Sequence, residues 1–354
     1  MNGTTTLTPL AEAILRELAS TPEANGMSLP RLGKRLGQGV SVLMRQLTLM
    51  GHAVIGGVHG PGWVRVEQVD DRWVAHLTAA GRSLAATPQR PPAGVRASEV
   101  QVRRDGLASL ATDWVADEVA VALVFNGISH AVMMATPADL EDFALGFALT
   151  EGLLLDPGEL RGVDVVDTPD GIEVQLKVAS ACEWRLRERR RSMAGRTGCG
   201  LCGTDSLAAV RQRPPAVPAL GIAPAAVASA LQALPAHQPR QQLTGATHAA
   251  ALCRIDDGGV VLVREDVGRH NALDKLIGAA RRAGFDPSRH FVALTSRASF
   301  EMVQKTARAG ISVLAAVSAP TAMAIDVANE AGLLLIGFAR GDGMVAYTFA
   351  DRLG

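Results

Sequence analysis

Two thiols three positions apart, Cys199 and Cys202, lie in the stretch Arg196-Thr197-Gly198-Cys199-Gly200-Leu201-Cys202-Gly203. A pair at that spacing can hold a metal, exchange a disulfide or carry sulfur. A structural zinc site takes four ligands, usually as two such pairs. No second pair exists here, so Cys182, Cys253 or His248 would have to complete the set in space. A thioredoxin-like redox pair opens a helix after a strand. This pair instead follows a basic run (Arg185, Arg187, Arg189, Arg190, Arg191, Arg196) and is flanked by glycines, which predicts an exposed loop over about 192–206. Sulfur carriage asks for a thiolate of lowered pKa, which nearby cations supply, and for a loop that reaches two partners in turn. A second thiol can then expel the transferred sulfur by closing a disulfide on the first.

The second concentration of chemistry runs from Arg264 to Lys275 (Arg-Glu-Asp-Val-Gly-Arg-His-Asn-Ala-Leu-Asp-Lys). Polar groups crowd the end of a predicted strand and the start of a predicted helix, where open α/β sheets bind ligands and helix N-termini favour anions. Asp266, Arg269, His270, Asn271, Asp274 and Lys275 are the candidate binding residues. Thr295-Ser296-Arg297 and Ser318-Ala319-Pro320-Thr321 repeat the arrangement at two further strand ends. Together they predict a wall of hydroxyls and N–H groups suited to phosphates, with Ser318 and Thr321 contributing.

The elements that must position these residues alternate regularly in the last third. Strands are expected at Val260–Arg264, Phe291–Thr295, Ile311–Val317, Leu333–Phe338 and Met344–Phe349. Helices are expected at Asn271–Ala283, Phe300–Ala309 and Thr321–Ala331. Such alternation argues a mostly parallel or mixed sheet with helices on its faces. Upstream, Asp117–Phe125 and Ile128–Met134 read as strands joined by Asn126-Gly127. Helix Ala138–Glu151 follows Pro137, strands are expected near Val163–Asp167 and Ile172–Val178, and a helix at Ala225–Leu234. Proline-rich residues 88–112 read as a stiff linker between residues 1–87 and 113–354. In the first module, a helix around Leu10–Leu18 precedes two more, capped by Ser28 and Ser41 and ending at Leu36 and Met50. Strands Trp63–Val69 and Trp73–Leu77 follow. That order resembles a winged helix of the MarR-type kind, which would offer Arg31, Lys34, Arg35, Arg45 and Arg65 to DNA phosphates.

Composition bounds the function classes. The 354 residues carry 35 basic and 35 acidic side chains, so overall charge argues for neither nucleic acid nor membrane. The longest apolar runs are far too short to cross a bilayer. Four cysteines are too few for a disulfide scaffold, and no basic segment leads into an apolar run at the N-terminus. A reducing cytoplasm is the expected location.

Several segments resemble the motifs of the FdhD family, the formate dehydrogenase accessory sulfurtransferases. They are Thr136-Pro137, Gly146-Phe147, Glu151-Gly152, Cys199-Gly200-Leu201-Cys202-Gly203, Thr247-His248-Ala249-Ala250, Glu265 through Lys275, Ser299 through Lys305, Ser318-Ala319-Pro320-Thr321 and Gly337-Phe338-Ala339-Arg340. The resemblance runs from about residue 113 to the end. It implies a cytidine-deaminase-like mixed sheet with helices on its faces, behind the winged-helix-like module, in an α/β chain. It implies a sulfurtransferase in which Cys199 takes persulfide sulfur from a cysteine desulfurase, with Cys202 as its partner. The sulfur would pass to the molybdenum cofactor in its bis-guanine-dinucleotide form, for formate dehydrogenase maturation. The cofactor site would include Phe338, Ala339, Arg340, Gly341, Asp342 and Gly343, and guanine nucleotide and a homodimer are further expectations. The chain departs from the family pattern at Ser296, where glycine is usual, and at Val345, where asparagine is usual. A zinc deaminase needs H-x-E before P-C-x-x-C. His248-Ala249-Ala250 lacks the glutamate, so deamination is not expected. The alternative from another class is a DNA-binding regulator with a cofactor- or redox-sensing C-terminal domain.

Overall fold

The computed structural model describes residues 8–19, 26–55, 58–70, 72–86, 91–104, 107–191 and 214–354. The chain divides into two compact units, Met1–Arg90 and Pro91–Gly354.

In the first unit, helices Pro9–Ala19, Leu29–Leu36, Val40–Met50 and Ala79–Ala86 surround an antiparallel sheet ordered Met27–Ser28, Arg72–Leu77, Val64–Val69. Ile14, Leu18, Leu29, Leu32, Leu43, Leu47 and Met50 fill its core, each on the apolar stripe its helix spacing predicts. The expected serine caps differ. Ser28 stands at the N-cap of Leu29–Leu36 without a side-chain bond, and Gly39, not Ser41, is the N-cap of Val40–Met50. Gly51 ends that helix as expected.

The second unit holds two sheets and a ribbon. The ribbon, Val95–Arg104 against Leu107–Ala116, replaces most of the expected extended linker. Valines and alanines alternating with polar residues favour a strand once a partner lies opposite, and the prolines stop at Pro92. A four-stranded sheet follows in the order Leu160–Thr168, Gly171–Val178, Val119–Phe125, Ile128–Ala135. Its hairpin turn has both Asn126 (φ 46°) and Gly127 (φ 79°) left-handed, as the dipeptide predicts. The six-stranded sheet runs Val260–Asp266, His248–Arg254, His290–Leu294, Val313–Ala316, Leu334–Arg340, Gly343–Ala346. Its three central strands, His290–Leu294, Val313–Ala316 and Leu334–Arg340, are parallel and the others antiparallel, so the sheet is mixed. Helices Arg269–Arg282, Phe300–Arg308 and Ala322–Ala331 cover one face and Pro224–Ala233 the other.

Other elements also escape the sequence reading. His248–Arg254 is a buried strand whose Ala-Ala-Ala-Leu-Cys run lacks the β-branched residues that mark strands. The basic run before the thiols is largely a helix, Ser180–Arg191, anchored by Cys182 and Leu186 in the core of the four-stranded sheet.

Helix Leu140–Thr150 joins the two sheets by crossing Arg269–Arg282 at glycines. A β-carbon on Gly146 would lie 1.7 Å from the Asp274 carbonyl oxygen, and one on Gly278 would lie 1.9 Å from that of Asp142. Both obstacles are helix backbone, which cannot rotate away. Gly146→Ala is therefore expected to destabilise the second unit by more than the roughly 1–3 kcal/mol of ordinary overpacking. A urea midpoint unchanged from the parent chain would refute that close crossing.

Candidate functional site

Because the three central strands are parallel, their carboxyl ends meet at one edge of the sheet. Antiparallel pairing brings Asp266 opposite His248 at the same edge. Ala249 in turn receives the Thr295 hydroxyl, and its N–H donates to Thr295 Oγ1 at 2.9 Å. Three helix N-termini open here, after Gly268, Ser299 and Thr321. Thr321 Oγ1 accepts from Ala324 N at 3.3 Å, whereas the Gly268 and Ser299 caps make no side-chain bond. Their first N–H groups are left for an anion. The loops are tied together: Ala298 N donates to Ala319 O, Thr321 N to Ala298 O, and Phe338 N to Ser318 O. All three predicted strand ends thus form one surface.

The candidate residues of the Arg264–Lys275 stretch divide into two groups. Asp266, Asn271, Asp274 and Lys275 are at most 3% exposed and spend their polar atoms on partners within the chain. Lys275 Nζ lies 2.6 Å from Asp266 Oδ2 and donates to Thr136 O at 2.9 Å. Asp266 also accepts from Thr136 N, Gly268 N and Asn271 Nδ2, and Asn271 Nδ2 donates to Met134 O. Asp274 accepts from Thr150 Oγ1 at 2.7 Å and from Lys305 Nζ at 2.9 and 3.0 Å. These four side chains hold the scaffold rather than face a ligand. Burial pushes the Lys275 amine below its ordinary value, against the pull of Asp266. Burial works the same way on Lys305, yet the carboxylates of Asp274 and Glu151 more than offset it and hold its pKa up.

Arg269 and His270 form the other group and stay partly exposed at the edge. His270 Nε2 lies 2.7 Å from Glu301 Oε2 and 3.4 Å from Ser299 Oγ. Arg269 occupies the first helical position, and its buried Nε has no hydrogen-bond partner among the described residues. His248 completes the cluster. Burial, then the positive charges of Arg269 and His270, hold its imidazole below the usual 6.5, with Asp266 opposing. Sequence motifs contained Glu301, Ser299 and His248, but only their convergence in space marks them as site residues.

At the far side of the edge, Phe338 is 48% exposed with φ +50°, and Gly341 has φ +54°. Arg340, Asp342 and Gly343 are exposed, and Arg340 Nε donates to Val317 O at 3.3 Å. Ala339 is 1% exposed and packs in the core on the opposite face, so its side chain meets no ligand. Ser318 is partly exposed and Thr321 exposed.

Cys199 and Cys202 lie outside the described residues. The two cysteines that were candidates to complete a zinc set are sealed in different cores, Cys182 beside the four-stranded sheet and Cys253 within the six-stranded one. They cannot join one metal. Burial pushes the Cys253 thiol up to about 12, and burial with Glu159 nearby raises Cys182, so neither is a nucleophile at neutral pH. Arg185, expected to tune the thiols, is committed to Glu159 at 2.6 Å and to Leu153 O.

Two outcomes follow. Lys305→Ala leaves the Asp274 carboxylate buried without its cation and is expected to lower stability by about 3–5 kcal/mol, read by chemical denaturation. His248 protonation is disfavoured in the folded chain, so between its lowered value and 6.5 the unfolded chain binds more protons. Stability contributed at this residue therefore falls as pH drops through that window and is flat above it. An NMR titration placing the His248 midpoint at or above 6.5 would contradict this.

The sequence model of the FdhD/NarQ family matches residues 116–354. "Sulfur carrier protein FdhD" of Variovorax paradoxus is 56% identical over 264 residues, covering 74% of this chain and 92% of that protein. That share is more than residues 116–354 can supply, so the match extends upstream over the ribbon. The protein of the same name from Bordetella petrii is 53% identical over 253 residues, covering 71% and 91%. In fold, the second unit is similar to the crystal structure of a candidate formate dehydrogenase accessory protein from Desulfotalea psychrophila, with TM-score 0.57 and 22% identity over 73% of this chain and 99% of that one. No helix among the described residues is long and apolar enough to cross a membrane. By the length and identity of these matches, the chain belongs to the FdhD/NarQ family.

Proposed function

We propose that this chain is a sulfur carrier that takes persulfide sulfur onto Cys199 and delivers it to a phosphate-rich cofactor held at the six-stranded sheet edge. The observation that supports the reading most is Arg269. It stands at a helix N-terminus without a carboxylate partner among the described residues, beside two uncapped helix starts. That combination fits a phosphate of a guanine dinucleotide better than it fits any internal role. The exposed Phe338 ring suits stacking on a base, and Arg340 a second phosphate.

The chemistry is nucleophilic at both steps. The Cys199 thiolate attacks the outer sulfur of a cysteine desulfurase persulfide. The donor S–S bond breaks, and the desulfurase cysteine leaves as thiolate. For release, the Cys202 thiolate attacks Cys199 at its inner sulfur. A Cys199–Cys202 disulfide forms, and the terminal sulfur leaves as sulfide, reduced by the two electrons the thiols lose. The recipient substrate is the molybdenum bis-guanine-dinucleotide cofactor, and the enzyme it matures is a formate dehydrogenase. The formate dehydrogenase assignment extends to this chain what the structural neighbour's name says of that protein, and the cofactor assignment rests on the family resemblance of the motifs. A cytoplasmic location and a homodimer belong to the same reading.

For the first unit the proposal is a winged helix, on its element order, with DNA as its partner class. Of its five candidate phosphate contacts, Arg35 is held by Glu17 at 2.7 Å and Arg65 lies 3.4 Å from Glu67, which leaves Arg31, Lys34 and Arg45 on the exposed surface. The regulator reading draws no support from the relatives above, which are named for sulfur carriage.

Loading the protein with a desulfurase and cysteine should add one sulfur to its intact mass, and Cys199→Ala should abolish the gain. A Cys199→Ala chain that still gains labile sulfur would overturn the carrier assignment. Arg269→Gln should weaken guanine nucleotide binding by roughly ten- to a hundredfold, the worth of one charge-assisted contact, while sulfur loading is unchanged. Equal calorimetric affinities would remove Arg269 from the phosphate site.

A further inference from the structure

The chain holds four cysteines, Cys182, Cys199, Cys202 and Cys253. Cys182 stands in the first turn of helix Ser180–Arg191, is 0% exposed, and packs in the core of the four-stranded sheet. Its sulfur lies 3.1 Å from Arg185 Nη2, and that guanidinium is committed to Glu159 at 2.6 Å. Cys253 is also 0% exposed, on strand His248–Arg254, in the core that Pro224–Ala233 covers. Two thiols in separate cores cannot bond to each other. Nor can either meet a partner that arrives through solvent. Burial raises both, so at neutral pH neither supplies the thiolate that disulfide exchange requires.

This isolation matters for the electrons. Loading moves a neutral sulfur atom onto Cys199 and returns the donor cysteine as thiolate, so the pair stays reduced. Release is different. Two thiolates become one disulfide, and the departing sulfur takes both electrons away as sulfide. The emptied chain then has no Cys199 thiolate with which to attack the next persulfide. With Cys182 and Cys253 sealed, no other thiol of the chain can reopen the bond.

The spacing also selects the kind of reductant. A monothiol attacks one sulfur and forms a mixed disulfide. The thiol it frees is a neighbour three positions away in Cys199-Gly200-Leu201-Cys202, at an effective concentration on the order of millimolar or above. That neighbour returns and expels the monothiol. A protein dithiol carries its own second thiol, which closes on the mixed disulfide at a comparable effective concentration and leaves the pair reduced.

We propose that the emptied chain is itself a substrate, and that a protein dithiol reductant must act on its Cys199–Cys202 disulfide between successive sulfur deliveries. The inference rests on the carrier reading above. One reductant thiolate attacks Cys199 or Cys202, and the other sulfur of the pair leaves as thiolate. The second reductant thiolate then attacks the mixed disulfide at the reductant's own sulfur. Both cysteines of the pair are freed, the reductant is left as a disulfide, and its two thiol protons pass to Cys199 and Cys202.

The test follows the full chain through two rounds. Reduced protein is loaded with a desulfurase and cysteine, desalted, and held until its sulfide has left. Its intact mass should then be that of the reduced chain less two hydrogens. Returned directly to desulfurase and cysteine, it should take up no sulfur. Treated first with thioredoxin, thioredoxin reductase and NADPH, it should again gain one sulfur. Glutathione at equal thiol concentration should restore loading at least about tenfold more slowly. A thioredoxin lacking its second cysteine should be trapped on Cys199 or Cys202, read by peptide mass. A first loading that fails overturns the carrier reading and this inference with it. An emptied chain that reloads without reductant leaves the carrier reading standing and overturns the reductive step. So does glutathione that matches thioredoxin, or a trap found on Cys182 or Cys253.

Discussion

A lysine buried against an aspartate, Lys275 on Asp266 at 2.6 Å with neither side chain exposed, holds the second unit of this molecule in register. Removing two charges from water is costly unless their remaining bonding positions are filled. Here the fillers come from elsewhere in the chain. Thr136 supplies its N–H to the carboxylate and its carbonyl to the amine, and Asn271 bridges Asp266 to Met134. Thr136 and Met134 lie at the end of the four-stranded sheet, whereas Asp266 and Lys275 belong to the six-stranded one. The pair is therefore satisfied only when both sheets are in place. Asp274 with Lys305, Thr150 and Glu151 repeats the arrangement, and Asp142 with Arg264 at 2.7 Å does so at the rim.

Such networks exist where two layers must meet at a fixed distance, and the glycines at 146 and 278 set that distance by letting two helix backbones touch. Leu140–Thr150 and Arg269–Arg282 then act as one rigid block. Arg269 and His270 begin the same helix whose later turns carry Asp274, Lys275 and Gly278. The candidate anion site is thus placed by the buried block rather than by its own loop.

The sequence made the six-stranded sheet legible because apolar strands and amphipathic helices there alternate without interruption. It also located the polar edge of that sheet, since polar residues gather at strand ends. It misjudged which of those residues face outward. Asp266 and Arg269 are three positions apart and equally polar, yet one is sealed and the other open. The difference lies in Thr136, some 130 positions away, and no local pattern carries it. The same limit hid the helix Ser180–Arg191, whose charges mask the core residues Cys182 and Leu186. It hid the strand His248–Arg254 as well, because alanine carries little preference of its own. The ribbon was obscured by the prolines just ahead of it.

Phe338 adopts a left-handed backbone that bulky residues avoid, at a cost of order 1–3 kcal/mol. Glycine or asparagine would relieve that strain, and the next left-handed residue, Gly341 just past the strand, is a glycine already. The aromatic ring is nonetheless kept, half in solvent, where it adds nothing to the core. A chain selected for durability alone would drift away from phenylalanine at this position. On the proposed reading, in which that ring stacks on a base, folding robustness and ligand capture pull against each other at this sheet edge.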